Sequence, residues 1–232
     1  MINYNTFLDK NETAQSFNNR LKVFIKLYKD YKQKRGTSLK ILDIGCGKKA
    51  VLSDNIEKND TYYGCDYYQK MDKKIDNYVN IDLNIDSLSE KLKNKKFDVI
   101  FCGEIIEHLF SPDHLLDEIK KIMHKNSILI LSTPNLGYFL NRIMLLFGLS
   151  PFFIENSSEY KLGRRFRFLG QGYPTQGHIR IFTYGALKDL FSLKKLCIMK
   201  TIPTTWGGFF DSFFNLISPA LSPNNVFLLK KD

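Results

Sequence analysis

Hydrophobic positions along this chain recur with two different periods. Phe17, Leu21, Phe24, Tyr28 and Tyr31 are spaced three and four residues apart, the signature of one helix face, and Gly36 supplies a stop. The pattern then shortens. Ile41, Leu42 and Ile44 form a brief apolar run suited to a buried strand. Comparable runs at 61–65, 78–81, 97–102 and 127–131 predict four more strands, and Asp66 and Asp82 close the second and third. Ser111-Pro112-Asp113 opens a helix reaching about Met123, because proline suits the first helical position. Thr183 caps a helix to about Phe191, and 193–202 and 226–229 are late strands. Strands alternating with helices predict an α/β fold with a parallel sheet covered on both faces. The 232 residues show no internal repeat and no dividing linker, so one domain is expected over 1–232. Within it lie a helical extension at 1–36, an irregular insertion at 149–182 rich in Gly, Arg and aromatics, and an apolar segment at 203–222.

Composition adds modest constraints. Hydrophobic residues make up 44% and charged residues 25%, as in ordinary globular proteins. The net charge of +10 admits an acidic partner such as RNA, anionic lipid or a phosphorylated sugar. The lysines are scattered, however, and accompany abundant asparagine, which points to biased composition rather than a binding patch. DNA is not expected. Cys46, Cys65, Cys102 and Cys197 show no C-x-x-C spacing, so neither zinc nor a redox pair is indicated, and a reducing cytoplasm fits. Residues 1–13 are polar and lack a signal-peptide core. The greasy stretch 136–154 is interrupted by Asn141, Arg142, Gly148 and Pro151, which argues against a membrane span.

The chemistry concentrates at residues 40–47, K-I-L-D-I-G-C-G. Gly45 and Gly47 let the backbone turn tightly at a strand's carboxyl end, where ligands bind in open α/β sheets. A dinucleotide site is one reading, since that motif tolerates Ala50 at its third glycine position. The order of the acidic residues around the turn favours another. Asp43 precedes the turn, Asp66 lies about twenty residues on, and Asp82 ends the third strand. F-D-V-I at 97–100, E-H-L at 107–109 and S-T-P-N at 132–135 come next. Over roughly 41–191 the chain resembles class I S-adenosylmethionine-dependent methyltransferases. G-H-I-R-I-F-T at 177–183 resembles the subgroup of ubiquinone-pathway O-methyltransferases and of methyltransferases from surface-glycan and lipid gene clusters. The resemblance implies a Rossmann-like, seven-stranded, mostly parallel sheet with helices on both faces and an antiparallel last hairpin strand. It implies S-adenosyl-L-methionine as cofactor, bound at Gly45, Cys46 and Gly47, with Asp43 supporting the amino-acid end. Asp66 would meet the ribose and Asp82 the adenine, with Tyr67, Leu83 and Cys102 also among the implied cofactor-binding residues. Lys48 and Lys49 depart from the small or polar residues commoner there, and they test whether the hollow stays open. A lone strand-terminal Asp is ordinarily a turn former; it is the ordered set that favours a cofactor.

Glu104, Glu107 and His108 form E-x-x-E-H after the fourth strand. On a helix, positions i, i+3 and i+4 share one face, so three ligands would converge. An alcohol acceptor is a poor nucleophile until its proton leaves, so a near-neutral histidine or a bound cation would help. The motif resembles the divalent-metal site of ubiquinone-pathway O-methyltransferases and of small-RNA 2′-O-methyltransferases. That resemblance implies Glu104, Glu107, His108 and the distant His178 as ligands for Mg²⁺ or Mn²⁺. His108 is the first candidate for the catalytic base, with Glu104, Glu107 and His178 next, and His108 or His178 could act without metal. The bland alternative makes the carboxylates helix-dipole partners and His108 a packed residue. His114 is expected to be exposed, and His124 to sit at a helix C-terminus.

For the acceptor, Arg164, Arg165 and Arg167 interleave with Phe166 and Phe168 in the insertion. Arginines hold anions and aromatics stack on sugars or bases, but a solvated basic loop explains the pattern as well. Arg180 either anchors the insertion or binds an anionic acceptor. Phe209, Phe210, Phe213, Phe214, Leu216 and Ile217 pack the core, cover an apolar acceptor, or touch a membrane surface. The expected function is O-methylation of a hydroxyl on a glycan, glycolipid or small metabolite, with a lipid-linked acceptor and peripheral membrane contact kept open. An RNA 2′-O-methyltransferase and a non-catalytic methyltransferase-like scaffold are the alternatives.

Overall fold

The apolar runs become strands because both of their faces are covered. The computed structural model describes residues 14–206 and 209–232. The polar stretch 1–13 and the side chain of Phe209 lie outside the described residues. Strands β1 (Lys40–Ile44), β2 (Thr61–Asp66), β3 (Tyr78–Asn80), β4 (Phe97–Gly103), β5 (Met123–Pro134), β6 (Leu196–Thr204) and β7 (Asn224–Lys231) form one sheet in the order β3-β2-β1-β4-β5-β7-β6. The first five run parallel, and β7 runs antiparallel between β5 and β6. The chain winds outward from β1 in one direction and from β4 in the other. Their adjacent carboxyl ends therefore open a crevice, the usual ligand position in such sheets.

Side-chain alternation sorts β1 onto two cores. Ile41 faces α1 (Ala14–Arg35), packing with Phe24, Leu27 and Tyr28, and the Phe24 ring stacks on Phe101 at 5.5 Å. Leu42 and Ile44 face α3 (Pro112–Ile122) and α5 (Tyr184–Leu193), meeting Leu115, Leu116, Ile119, Leu187 and Phe191. Asp43 thus lies on the α1 side. The expected caps form: Ser111 Oγ accepts from His114 N at 3.2 Å, and Thr183 Oγ1 accepts from Ala186 N at 3.2 Å. One short helix, α2 (Leu88–Lys91), follows β3.

β5 is longer than its apolar stretch predicts. It pairs Phe97 with Met123, slips, and resumes at Val99 with Ile128. The greasy residues after β5 form only α4 (Phe139–Leu146), packed against α6 (Phe209–Ile217) through stacked Phe139 and Phe214 rings 4.1 Å apart. Tyr138, Phe139 and Phe153 head a third cluster with Phe152 and Trp206. No helix among the described residues is long and apolar enough to cross a membrane.

Candidate active site

A cleft of about 1040 Å³ opens above the ends of β1 and β4. One half is built around the glycine turn. Gly45 and Gly47 have φ of +73° and +66°, a left-handed conformation that L side chains rarely adopt. A Cβ on Gly45 would lie 2.1 Å from Ile105 Cδ1, whereas one on Gly47 would meet nothing within 4 Å, so the turn presents bare backbone to the cleft. Asp66 clamps it: Oδ2 accepts from Gly47 N at 2.8 Å and Oδ1 from Tyr67 N at 2.7 Å. Burial raises the Asp66 carboxyl, and these amides offset only part of that rise. Beneath the turn, the buried Asp43 accepts from Tyr62 OH at 2.7 Å, and burial pushes it up to about 7.

Asp43, Gly45, Cys46, Gly47 and Asp66 all line the cleft. Tyr67, Asp82, Leu83 and Cys102 are not among its lining residues. Asp82 instead closes a local turn, accepting from Asn84 N at 2.9 Å, Leu83 packs on the core, and Cys102 is wholly buried within it. Both lysines line the cleft: Lys49 is exposed, and Lys48 lies over the Tyr68 ring, with its Nζ 4.8 Å from the centroid. Ala50 leads into a five-residue 3₁₀ turn, Val51–Asn55, rather than the long helix whose N-terminus would hold a dinucleotide pyrophosphate.

The acid–histidine motif is arranged differently from a helical face. Glu104 has φ of 56°, and only Ile106–His108 is helical, as a single 3₁₀ turn. Glu104 consequently turns toward α1 and β7. It accepts from Ser132 Oγ at 2.8 Å and, at both oxygens, from Asn224 Nδ2 at 2.9 Å, with Arg20 Nη1 3.7 Å away. Glu107, His108 and His178 are brought together instead, each offering a ligand atom within 4.8 Å of the others.

These three residues fit a divalent cation. His108 Nδ1 lies 3.0 Å from the Gly177 carbonyl and His178 Nδ1 3.2 Å from that of Phe153. A carbonyl can only accept, so each Nδ1 carries the proton and each Nε2 presents its lone pair. Burial lowers both imidazoles, His178 to about 4, keeping them neutral. Glu107 is fully buried; Oε2 accepts from Thr133 Oγ1 at 3.0 Å, and among the described residues Oε1 has no hydrogen-bond partner. Burial, reinforced by the Glu104 charge, pushes its carboxyl well above the carboxylate range. Two imidazoles and one orphaned carboxylate oxygen suit Mg²⁺, Mn²⁺ or Fe²⁺.

The other half of the cleft is supplied by the insertion and by α1. Glu155 accepts from three consecutive amides, Gln176 N, Gly177 N and His178 N, at 2.6, 2.8 and 2.9 Å, and so fixes the strap carrying His178. Phe152, Phe153, Phe168, Tyr173 and Trp206 form aromatic walls, joined by Phe17 of α1. Arg164 is buried and donates to the carbonyls of Pro151, Phe152, Ile154 and Leu169, while Arg165 and Arg167 face outward. Arg180 donates to the Phe110 carbonyl at 3.0 Å, anchoring the insertion. His114 is exposed, and His124 pairs with Asp98 at 3.1 Å just past α3. Glu155, Lys161, Trp206, Asn224, Phe17 and Arg20 escape sequence reasoning. Only Phe17 and Arg20, three apart on one face of α1, carry a local signal.

Sheet order, the glycine turn and its acidic clamp define the class: this is the fold of S-adenosylmethionine-dependent methyltransferases. A methyltransferase-domain family model matches residues 15–193, and the chain belongs to that family. Two similar curated proteins are ubiquinone biosynthesis O-methyltransferases. The one from Pelagibacter ubique is 32% identical over 105 residues, covering 42% of this chain and 43% of that protein. The one from Bartonella bacilliformis is 27% identical over 199 residues, covering 83% and 73%. Among solved structures, an S-adenosylmethionine-dependent methyltransferase from Clostridium acetobutylicum superposes with a TM-score of 0.59 at 13% identity, covering 91% of this chain and 92% of that one. Magnesium protoporphyrin IX methyltransferase from Synechocystis, with bound S-adenosylhomocysteine, gives 0.54 at 13% identity, covering 96% and 90%.

Proposed function

We propose that this chain transfers the methyl group of S-adenosylmethionine to a hydroxyl oxygen of a small acceptor. The observation carrying this reading is the convergence of two neutral imidazoles, each with a free Nε2, on one buried carboxylate beside the glycine turn. The sulfonium cofactor supplies an already activated methyl group, and a divalent cation would lower the pKa of a hydroxyl. The chain's residues supply alignment and proton transfer. Gly45, Gly47, Asp66 and Asp43 are the cofactor side, and Glu107, His108 and His178 would hold the cation. With no cation bound, the same His108 Nε2 lone pair is the first choice to take the acceptor's proton, with His178 second. The aromatic walls exclude water and hold the acceptor in line with the methyl group. Glu104, tied to Asn224 and Arg20, braces α1 against the sheet rather than acting on the acceptor.

Residues 149–182 form the acceptor side of this reading, within one domain over 1–232. A glycan, glycolipid or other hydroxyl-bearing metabolite matches an aromatic-walled cleft. The Bartonella and Pelagibacter relatives support oxygen as the target atom. The test is a methyl-transfer assay with labelled cofactor against glycan, lipid and RNA extracts, with and without chelator. Label on hydroxyl oxygens of small acceptors supports the reading; label on nitrogen or carbon only, or none despite cofactor binding, overturns it. RNA is the second reading, favoured by the outward Arg165 and Arg167 beside stacked Phe166 and Phe168 rings 5.4 Å apart. Salt-dependent RNA binding with transfer to RNA alone would promote it.

A further inference from the structure

One buried charge in the cleft takes no part in cofactor binding, cation binding or proton transfer. Lys161 is 8% exposed and lines the acceptor half. Its backbone is fixed in a hairpin, with Lys161 N donating to Tyr173 O at 2.7 Å and Gly172 N to Lys161 O at 2.8 Å. Among the described residues its ammonium, with three donors, hydrogen-bonds only to Gln176 Oε1, at 2.9 Å. The carboxylate it faces, Glu155, is already engaged by three amides and lies 3.9 Å from Nζ, beyond hydrogen-bond reach. The insertion's other buried cation, Arg164, is turned to backbone carbonyls. Two buried cations therefore stand against one buried carboxylate. Burial outweighs the attraction of Glu155 and lowers Lys161 to about 8, with Arg164 adding to the effect.

We infer that Lys161 reads an anionic group on the acceptor, a carboxylate or phosphate carried on an aromatic or apolar body covered by Phe153, Tyr173 and Trp206. Such a group supplies the direct charged hydrogen bond that Glu155, 3.9 Å from the ammonium, does not make, so it fixes which end of the acceptor faces the methyl group. This inference rests on the methyl-transfer reading of the cleft.

Trp206 is the chain's one tryptophan and lines this half, so its fluorescence reports acceptor binding. Protein saturated with S-adenosylhomocysteine is titrated at neutral pH with para-hydroxyphenylacetate, with phenyl phosphate, and with tyrosol, the uncharged alcohol counterpart. At least one anionic probe should bind about tenfold or more tighter than tyrosol, the size expected of a hydrogen bond to a charged group. Lys161→Met should erase that preference and leave tyrosol binding unchanged. Which anion wins separates carboxylate from phosphate. Lys161→Gln, which keeps a hydrogen-bonding group for Gln176, serves if the Met variant melts early. Equal binding of the probes, no saturable signal from any, or a preference surviving both substitutions overturns the inference. Calorimetry with S-adenosylhomocysteine on the same samples separates the two claims. If the cofactor product binds but no anion preference appears, Lys161 alone loses its role; if it does not bind, the methyl-transfer reading falls.

Discussion

At the scale of single residues, two groups make opposite demands on the fold. His108 is neutral, oriented by Gly177, and lines the cleft without clamping the glycine turn. His108→Ala should lower turnover about 10²-fold or more, the range for a lost general base, while cofactor affinity by calorimetry stays within about twofold. Loss of cofactor binding with the fold intact would contradict its assignment. Asp43 is a buried carboxyl raised from 3.8 to about 7 by desolvation, with the neutral Tyr62 OH as its hydrogen-bond donor. Its folded pKa lies above its unfolded value, so the native state binds the extra proton between about pH 4 and 7. Stability therefore falls as pH rises through that window. Asp43→Asn should raise the melting temperature of the ligand-free protein at pH 8, by at most about 4 kcal/mol of stability, and the gain should vanish near pH 4. The same variant should bind cofactor more weakly. A variant less stable than wild type at pH 8 would show that Asp43 is charged and well satisfied.

At the scale of elements, the insertion is rigid where it matters and irregular elsewhere. Its strap, residues 176–178, has no secondary structure, and its geometry depends on the Glu155 carboxylate filling the role that a strand partner would play. Hydrogen bonds to a charged group contribute roughly 1.5–3 kcal/mol each, so Glu155 is costly to remove from this segment. Glu155→Ala should loosen both imidazoles, because Gly177 orients one and His178 carries the other. Mn²⁺ affinity, read by electron paramagnetic resonance, should fall about 10–100-fold, as expected when the groups that orient metal ligands are lost. S-adenosylhomocysteine affinity should not change, since the glycine turn lies on other elements. Unaltered Mn²⁺ binding would reduce Glu155 to loop packing.

At the scale of the whole molecule, the cleft joins a cofactor half built by the sheet to an acceptor half built by α1, the insertion and the residues before α6. A cation at Glu107, His108 and His178 would tie β4 to the insertion. Mn²⁺ should therefore raise the melting temperature of the intact protein, and EDTA should reverse that. His178→Ala should abolish the shift. Chelator-insensitive activity together with an absent Mn²⁺ shift would leave His108 as a base acting alone.

The elements were legible in the chain because each rests on local periodicity and local caps. The helix through Tyr28, the strand before Gly45 and the Ser111 and Thr183 caps all arise from neighbours in sequence. The glycine turn and Asp66 were legible for the same reason: bare backbone at a strand end, with an acid at the next strand's end, is a short-range pattern. The acid–histidine site was only half legible. Glu104 adopts φ of 56° and leaves the motif, since Asn224, 120 residues away, and Arg20 hold its carboxylate. His178 joins only because Glu155 pins its backbone from across the insertion. Lys161 was invisible, because an ammonium becomes informative only when burial removes its water and its one facing carboxylate is already occupied. Short-range patterning thus determined the elements and the cofactor turn, while tertiary structure alone decided the acceptor site, whose chemistry depends on long-range hydrogen bonds and desolvation that no local sequence pattern encodes.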